Sequence, residues 1–416
     1  MLKFIKGEWF FVSGRLAAKA RRYEPALRQF ERVLALYPNH LSTLLYLGWC
    51  HQNLRQYQPA IAFFDRALQI DSACAYGHKS IGQCLVYSER YQEGANAINR
   101  AFRLDPTYSK DAASLKALGY AYACLGQVEL AYDTYLRAER LCPNDAEAAY
   151  WVGRALLLLE RFQDSEQQLR KAVALDPDNA RTHHELACAL YGLSRWEECA
   201  GEFMDAIKLN PESYDAYIGL GKAYREQAQY PQSIAALKQA SSLRPDDPDV
   251  YLHLAVSYAD ARRWEESLDA SKRLVQLRPN DEVSFLTLAG VYQELGRFQE
   301  EANASKEALR INPNCCPALE GLGYAYGALD RFEEAAQALE QAVSINPNVA
   351  YTRAWLAQAY GELGKREAAF KELAVLEALD PNMAKETAWR VQEKLARRAS
   401  AICGKEGGLQ TEPLDY

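Results

Sequence analysis

The sequence predicts an all-α protein, a solenoid built from antiparallel helix pairs. Three observations predict it. First, proline recurs at a fixed interval: from Pro143 through Pro177, Pro211, Pro245, Pro279, Pro313 and Pro347 to Pro381, every step is 34 residues. Pro38 and Pro106 lie 68 apart with Ser72 between them, and only the step from Pro106 to Pro143 departs, at 37. Second, other places repeat in register with these prolines. A small residue stands 24 before each, an aromatic usually 15 before, alanine usually five before, and Leu or Ile two before. Third, apolar residues between these marks fall three and four apart, the helical period. A repeat of this length marks stacked units that bury a continuous core only by sharing it with their neighbours.

Each element of the repeat has its own reason. The first helix carries the small place: Gly14, Gly48, Gly82, Gly119, Gly153, Ala187, Gly221, Ala255, Ala289, Gly323 and Ala357. There it presses on the second helix, so close packing offsets lost helix propensity. A break such as LGRF or LDRF then turns the chain. The second helix opens on Tyr23, Tyr57, Tyr91, Phe162, Trp196, Tyr230, Trp264, Phe298 or Phe332, with Val128 and Arg366 as exceptions. It stops at the proline, which cannot extend the hydrogen-bond ladder.

Residues 315–349 carry the whole pattern in Leu319, Leu322, Gly323, Tyr326, Ala335, Leu339, Ala342 and Pro347. The pattern resembles the tetratricopeptide repeat (TPR), a 34-residue helix-turn-helix with small, aromatic, alanine and proline places. Eleven such repeats fit residues 7–383, after an N-terminal segment 1–6. Residues 384–403 read as a capping helix and 404–416 as a flexible tail. The resemblance implies a right-handed α-solenoid, the TPR superhelix, with first helices lining a concave groove.

Local departures carry further expectations. Gly321 and Gly327 flank Gly323 on the face that TPR geometry turns toward the groove, where they either widen it or mark a tolerant site. The three extra residues, in PTYSKDAASLKALGY, either lengthen a loop or add most of a turn, with Ser109, Asp111 and Ser114 as candidate N-caps. Ser271 and Ser305 replace a large residue of the second helix, leaving soft joints or hinges. Trp389, Leu395 and Ile402 are available to cover the last repeat. Leu2, Phe4, Ile5, Trp9 and Phe11 form an apolar N-terminal end, read as a contact site, a self-association interface or an incomplete cap.

Composition narrows the function classes. Over 416 residues the formal charge is -7, which argues against a dedicated nucleic-acid surface. The ten cysteines form no C-x-x-C, so free thiols and a cytoplasmic setting are expected. The N-terminal apolar run is broken by Lys6 and Glu8, so no signal peptide and no membrane insertion are expected. There is no phosphate-binding G-x-x-x-x-G-K-[ST] loop and no nucleophile elbow. His184 and Cys188, within HHELAC, share a helical face at a spacing that could grip a metal, but no third ligand is evident. Cys315-Cys316 reads as loop and helix-start filler, and Cys50, Cys84 and Cys124 as buried thiols in first helices. No cofactor, no metal and no catalysis are expected.

The inner groove is therefore the candidate site. Its aromatics are Tyr46, Trp49, Tyr76, Tyr120, Tyr150, Trp151 and Tyr191, interleaved with Lys79, Lys116, Arg154, Arg181, His184, Lys222 and Arg225. Later repeats offer acids: Asp249, Asp260, Glu294, Glu320 and Glu362. Rings and cations together suit proteins or extended peptides with acidic and apolar side chains. The alternative is that the rings pack between repeats and the charges are solvated surface. The chain also resembles the chaperone-binding TPR group at Lys79 and Lys116, which match its carboxylate clamp, but Ser80, Gln83, Ala117 and Tyr120 replace the expected asparagines. The asparagine ladder of the O-linked N-acetylglucosamine transferase group is absent from the equivalent places, from Tyr46 and Ser80 to Gly321 and Trp355. The leading expectation is a non-catalytic scaffold. The alternative is an accessory subunit for a separate enzyme such as a glycosyltransferase, or for a secretion or assembly machine. RNA binding of the pentatricopeptide kind fits less well, given the acidic balance and the repeated proline.

Overall fold

A computed structural model describes residues 2–406, with side chains described over 3–398. Among the described residues the regular structure is helical and no strand occurs. The chain forms two compact units, Met1–Gly219 and Leu220–Tyr416, with the boundary inside α13.

The N-terminal unit contains six helix pairs: α1 (Leu2–Lys19) with α2 (Tyr23–Leu36), α3 (Leu41–Asn53) with α4 (Tyr57–Ile70), and α5 (Ala75–Tyr87) with α6 (Tyr91–Leu104). It continues through α7 (Ala112–Cys124) with α8 (Val128–Leu141), α9 (Ala146–Leu158) with α10 (Phe162–Leu175), and α11 (Ala180–Gly192) with α12 (Trp196–Leu209). Helix α13 (Tyr214–Glu226) follows. The C-terminal unit holds α14 (Tyr230–Leu243), then α15 (Pro248–Asp260) with α16 (Trp264–Leu277), and α17 (Glu282–Glu294) with α18 (Phe298–Ile311). After these come α19 (Cys316–Ala328) with α20 (Phe332–Ile345), α21 (Ala350–Leu363) with α22 (Arg366–Leu379), and α23 (Pro381–Glu406). Within each unit, helices pack on the partner of their own pair and on the next pair, so each unit is a helical-repeat solenoid.

One contact organises each pair. Except where Ser271 and Ser305 stand, a large side chain of the second helix lies against the small place of the first, 16 residues earlier. A methyl group on Gly48 would sit 2.6 Å from Phe64, one on Gly153 2.6 Å from Leu169, and one on Gly323 2.5 Å from Leu339. Phe64 and Leu169 are fully buried. The glycine there admits a neighbour that any side chain would displace.

The breaks end each first helix in the left-handed region. Arg21, Arg55, Glu89, Glu160, Ser194, Ala228, Arg262 and Asp330 have φ between 55° and 63°, with Gly126, Gly296 and Gly364 at the same place. Around Glu160 the N–H of Arg161 donates to Leu156 O at 2.9 Å and that of Glu160 to Leu157 O at 3.0 Å, a Schellman closure. A side chain in this conformation costs about 1 kcal/mol that glycine avoids. Glu160→Gly is therefore expected to stabilise the protein by about 1 kcal/mol, read as a higher melting temperature. An unchanged or lower value would show that Glu160 carries no such strain.

The three extra residues lengthen a connection and leave the helices intact. Pro106–Lys110 forms a 3-10 turn, and α7 keeps the 13 residues of α5 and α9. Asp105 holds the turn, accepting from Thr107 N at 2.9 Å. Ser109 does not cap α7: its hydroxyl donates to Pro106 O at 2.6 Å. Asp111 stands at the cap position, but its carboxylate accepts from Ser114 Oγ at 2.6 Å rather than from backbone N–H groups.

Helix α23 buries Ala384, Thr387 and Val391 against a core containing Ala357, Leu373 and Leu376, with Leu395 at its margin. Trp389 does not join them. It is 64% exposed, because it projects from the opposite side of α23 to Val391. The Ile402 side chain and residues 407–416, with most of the expected tail, lie outside the described residues.

Candidate binding surface

The same large residue that meets the small place also supports the next first helix. Tyr46 stacks on Phe30 with ring centroids 5.3 Å apart, and Trp151 stacks on Tyr135 at 5.5 Å. Gly219 occupies this place over Phe203, where a methyl group would come within 2.2 Å of the ring. Several rings read from sequence as groove residues thus also join neighbouring repeats. Tyr76 meets Phe64 edge-on at 6.4 Å, and burial pushes its hydroxyl up to about 12. Tyr150 is buried and meets Trp151 edge-on at 5.0 Å. Trp49 packs on Tyr23, Tyr120 on Trp151, and Tyr191 on Trp196.

Most of the cations among these rings have partners. Lys79 Nζ lies 3.3 Å from Asp111, over the Tyr76 and Tyr108 rings. Lys116 reaches Asp145 at 2.9 Å and also Glu147. Burial opposes charge on Lys116, but Glu147 and Asp145 outweigh it and hold the ammonium above its ordinary value. Arg154 stands 3.4 Å from Glu185 and over the Trp151 ring. Arg225 contacts Glu226 at 2.9 Å and Asp260 at 3.9 Å. The His253 ring near Lys222 and Arg225 is pushed down to about 4, first by burial and then by these cations. Arg181 is exposed. Several acids of later repeats are also engaged: Asp249 by Arg278, Glu362 by Lys394, and Glu320 by Tyr351 and Thr352. Sequence spacing gives no sign of these pairs, because most partners lie about thirty residues away.

Among the clefts on this surface, three bear on its chemistry, each within one unit. The first, about 650 Å³, is lined by Trp49, Tyr57, Tyr76, Lys79 and Gln83. A relay of amides crosses it: Gln52 donates to Gln83 at 3.0 Å, and Gln83 to Ser114 at 3.1 Å. The second, about 280 Å³, is lined by Tyr120, Cys124, Tyr135, Trp151 and Arg154. The third, about 240 Å³, lies between Tyr324, Gly327, Ala328, Phe332, Trp355 and Gln358, with Arg390 and Lys394 on its rim. The second and third occupy equivalent places, 204 residues apart: Tyr120 and Tyr324, Cys124 and Ala328, Trp151 and Trp355.

The flanking glycines of the tenth repeat now separate. No atom lies within 4 Å of a methyl group placed on Gly327, and its bare backbone widens the third cleft. Gly321 has a different role from the groove-facing one expected: it makes room below, where a methyl group would lie 3.2 Å from Ser305 Oγ and 3.7 Å from Glu301.

The cysteines and histidines are placed as follows. Cys50 and Cys84 are buried, and burial pushes both thiols up to about 12. Cys124 is exposed, contrary to expectation, because it ends α7 at a cleft mouth rather than on its packed face. Cys315 is buried, and Cys316 Sγ lies 3.5 Å from Glu320. His184 Nε2 lies 3.7 Å from Cys188 Sγ, and no group of three metal-ligating side chains occurs among the described residues. His183 is a loop fastener: one ring nitrogen meets Glu202 at 2.7 Å and the other Pro177 O at 3.0 Å.

Family models described as tetratricopeptide repeat match residues 81–146, 129–180, 184–231, 284–315 and 328–395, and one described as TPR repeat matches 221–261. The chain belongs to the tetratricopeptide repeat family. A model of anaphase-promoting complex, cyclosome, subunit 3 matches residues 19–101 of this TPR protein. No curated protein matches it significantly. Solved structures similar to the TPR chain include the APC/C hetero-tetramer Cut9-Hcn1, at 16% identity and a TM-score of 0.44, covering 92% of this chain and 96% of that one. Yeast Tom70 is 13% identical with a TM-score of 0.40, covering 98% and 100%. YrrB, a TPR protein with an unusual peptide-binding site, is 19% identical with a TM-score of 0.40, covering 44% and 95%. No helix among the described residues is long and apolar enough to cross a membrane.

Proposed function

We propose that this TPR protein is a non-catalytic adaptor that holds extended segments of partner proteins in clefts on its first helices. The observation that carries this reading is the recurrence of one aromatic cleft at equivalent places in both units, around Trp151 and around Trp355. Each wall offers rigid rings, which give contact area at little entropic cost. Arg154 and Lys394 beside them are already balanced by acids of the adjoining repeat, Glu185 and Glu362. Affinity then rests on apolar side chains of the partner, and the paired charges set orientation more than strength. The first cleft adds Gln52 and Gln83 as amide groups suited to a peptide backbone.

The test is affinity capture from the native host, with mass spectrometry, using wild type, Trp151→Ala, Trp355→Ala and the double variant. Each single change is expected to weaken capture of a direct partner by about tenfold, the scale of one buried aromatic anchor. Unchanged capture by the double variant, with helix content intact, would refute the cleft reading.

A further inference from the structure

We propose that the outer face of α1 is a peripheral docking surface for membranes rich in anionic lipid. Helix α1 has two apolar faces. One carries Gly7, Gly14 and Ala18, buried against α2, with Phe11 packed on Phe30. On the other, Ile5, Trp9, Val12 and Leu16 recur at four, three and four residues and are 58%, 62%, 48% and 64% exposed, with Phe4 beside them at 63%. Such spacing sets them on one stripe of the helix, directed away from the core. Five large apolar side chains in the open on one helix form a patch that calls for an occupant.

Charge selects which one. Residues 1–36 carry eight Lys and Arg against three Glu, a net +5, within a chain whose total is -7. The remaining residues therefore sum to -12, so the first helix pair carries a positive excess against an acidic remainder. Lys6, Arg15 and Lys19 are exposed on α1 to either side of the stripe, with Glu8 as the exposed acid among them. The Arg15 guanidinium lies 5.9 Å from the Phe11 and Tyr46 ring centroids and the Lys3 ammonium 5.5 Å from that of Tyr37, so both cations are held against aromatic faces at this end while their side chains stay exposed. An exposed stripe of Trp, Phe, Ile and Leu flanked by lysine and arginine lies flat at a lipid interface: the rings enter the headgroup region and the cations meet lipid phosphates. A second copy fits less well, because pairing two such faces brings two +5 surfaces together.

The experiment is co-sedimentation of the full chain with vesicles of pure phosphatidylcholine and of phosphatidylcholine mixed with phosphatidylglycerol, at low and high salt. Binding is expected to the mixed vesicles only, falling about tenfold or more as salt is raised. The pair Trp9→Ser with Leu16→Ser, and separately Lys6→Glu with Lys19→Glu, should each abolish most of it while circular dichroism stays unchanged, since all four side chains are exposed. Absence of binding, equal binding to both vesicle types, or salt-insensitive binding by the wild type would overturn the proposal. So would a concentration-dependent dimer, seen by light scattering, that the Trp9 and Leu16 changes dissolve while vesicle binding persists. The salt comparison needs no variant, so it stands even if a substitution disturbs folding.

Discussion

Gly82→Ala is expected to destabilise the protein by about 2 kcal/mol, the scale of an overpacked core. By contrast, Gly290→Ala should stabilise it by about 1 kcal/mol, the usual helix-propensity gain. Both glycines lie inside first helices, so propensity alone predicts the same sign. The surroundings decide. A methyl group on Gly82 would meet Ile98 Cγ1 at 2.5 Å and, across the pair, Gly94 O and Ile98 N at 2.9 Å. Two of those atoms are backbone, so no rotamer change relieves the contact and α5 must move from α6. Gly94 is placed reciprocally, with Gly82 O 2.9 Å from its own absent side chain. Nothing lies within 4 Å of a methyl group on Gly290. Urea or thermal midpoints for the two variants measure the difference directly. A Gly82→Ala protein as stable as wild type would mean that the two backbones do not approach this closely.

The repeat was legible because its marks are backbone necessities. Glycine or alanine at the close approach, proline after most second helices and, in most repeats, a large apolar residue beneath the next one recur with the geometry, so a 34-residue period exposes them. The candidate surface was legible only in part. Tyr46 and Trp151 were found as groove aromatics, yet their stacking on Phe30 and Tyr135 depends on a register of neighbours that residue type alone does not reveal. The pairing of Lys116 with Asp145 and Glu147 spans two repeats and follows no local spacing rule. The cleft beside Trp355 was hardest to read, because it is made by what is missing. Gly327 and Ala328 leave space between Tyr324 and Trp355, and a sequence does not display empty volume. Trp389 shows the converse error: a large apolar residue on a capping helix invites a place in the core, but the turn of α23 gives that place to Val391.

Glu301→Gln should stabilise the C-terminal unit by up to roughly 3 kcal/mol at pH 7 and by almost nothing at about pH 4. The place twelve residues before the repeat proline is otherwise Ala, Gly, Ser or Cys in every repeat, from Ala26 and Ala60 to Ala335 and Ala369. Where it is serine, the hydroxyl donates to a carbonyl of its own first helix: Ser165 to Gly153 O, Ser233 to Gly221 O and Ser267 to Ala255 O, each at 2.7 Å. Glu301 is 1% exposed, and among the described residues neither carboxyl oxygen has a hydrogen-bond partner. Gly321 and the small Ser305, whose own hydroxyl is unpartnered, make the room it fills. Among the described residues no cation compensates: on its own helix Arg297 pairs with Glu300, and the nearby Glu320 on α19 is an acid, itself held by Tyr351 and Thr352. Burial therefore pushes the Glu301 carboxyl up to about 8 from its ordinary 4.5. The folded chain holds this proton more tightly than the unfolded one. Its contribution is thus fully present below the ordinary value and is lost as pH rises through about 8, at 1.4 kcal/mol for each tenfold change in proton activity. Glutamine keeps the shape and needs no proton, so the two melting curves should coincide in acid and separate steadily toward pH 8. Hydrogen exchange in α18 and α19 should rise over the same interval in wild type only, since an ionised Glu301 must draw water into the joint between them. Parallel pH profiles for the two proteins would show that Glu301 is ionised without penalty, and that the joint around Ser305 is not the weak point its packing implies.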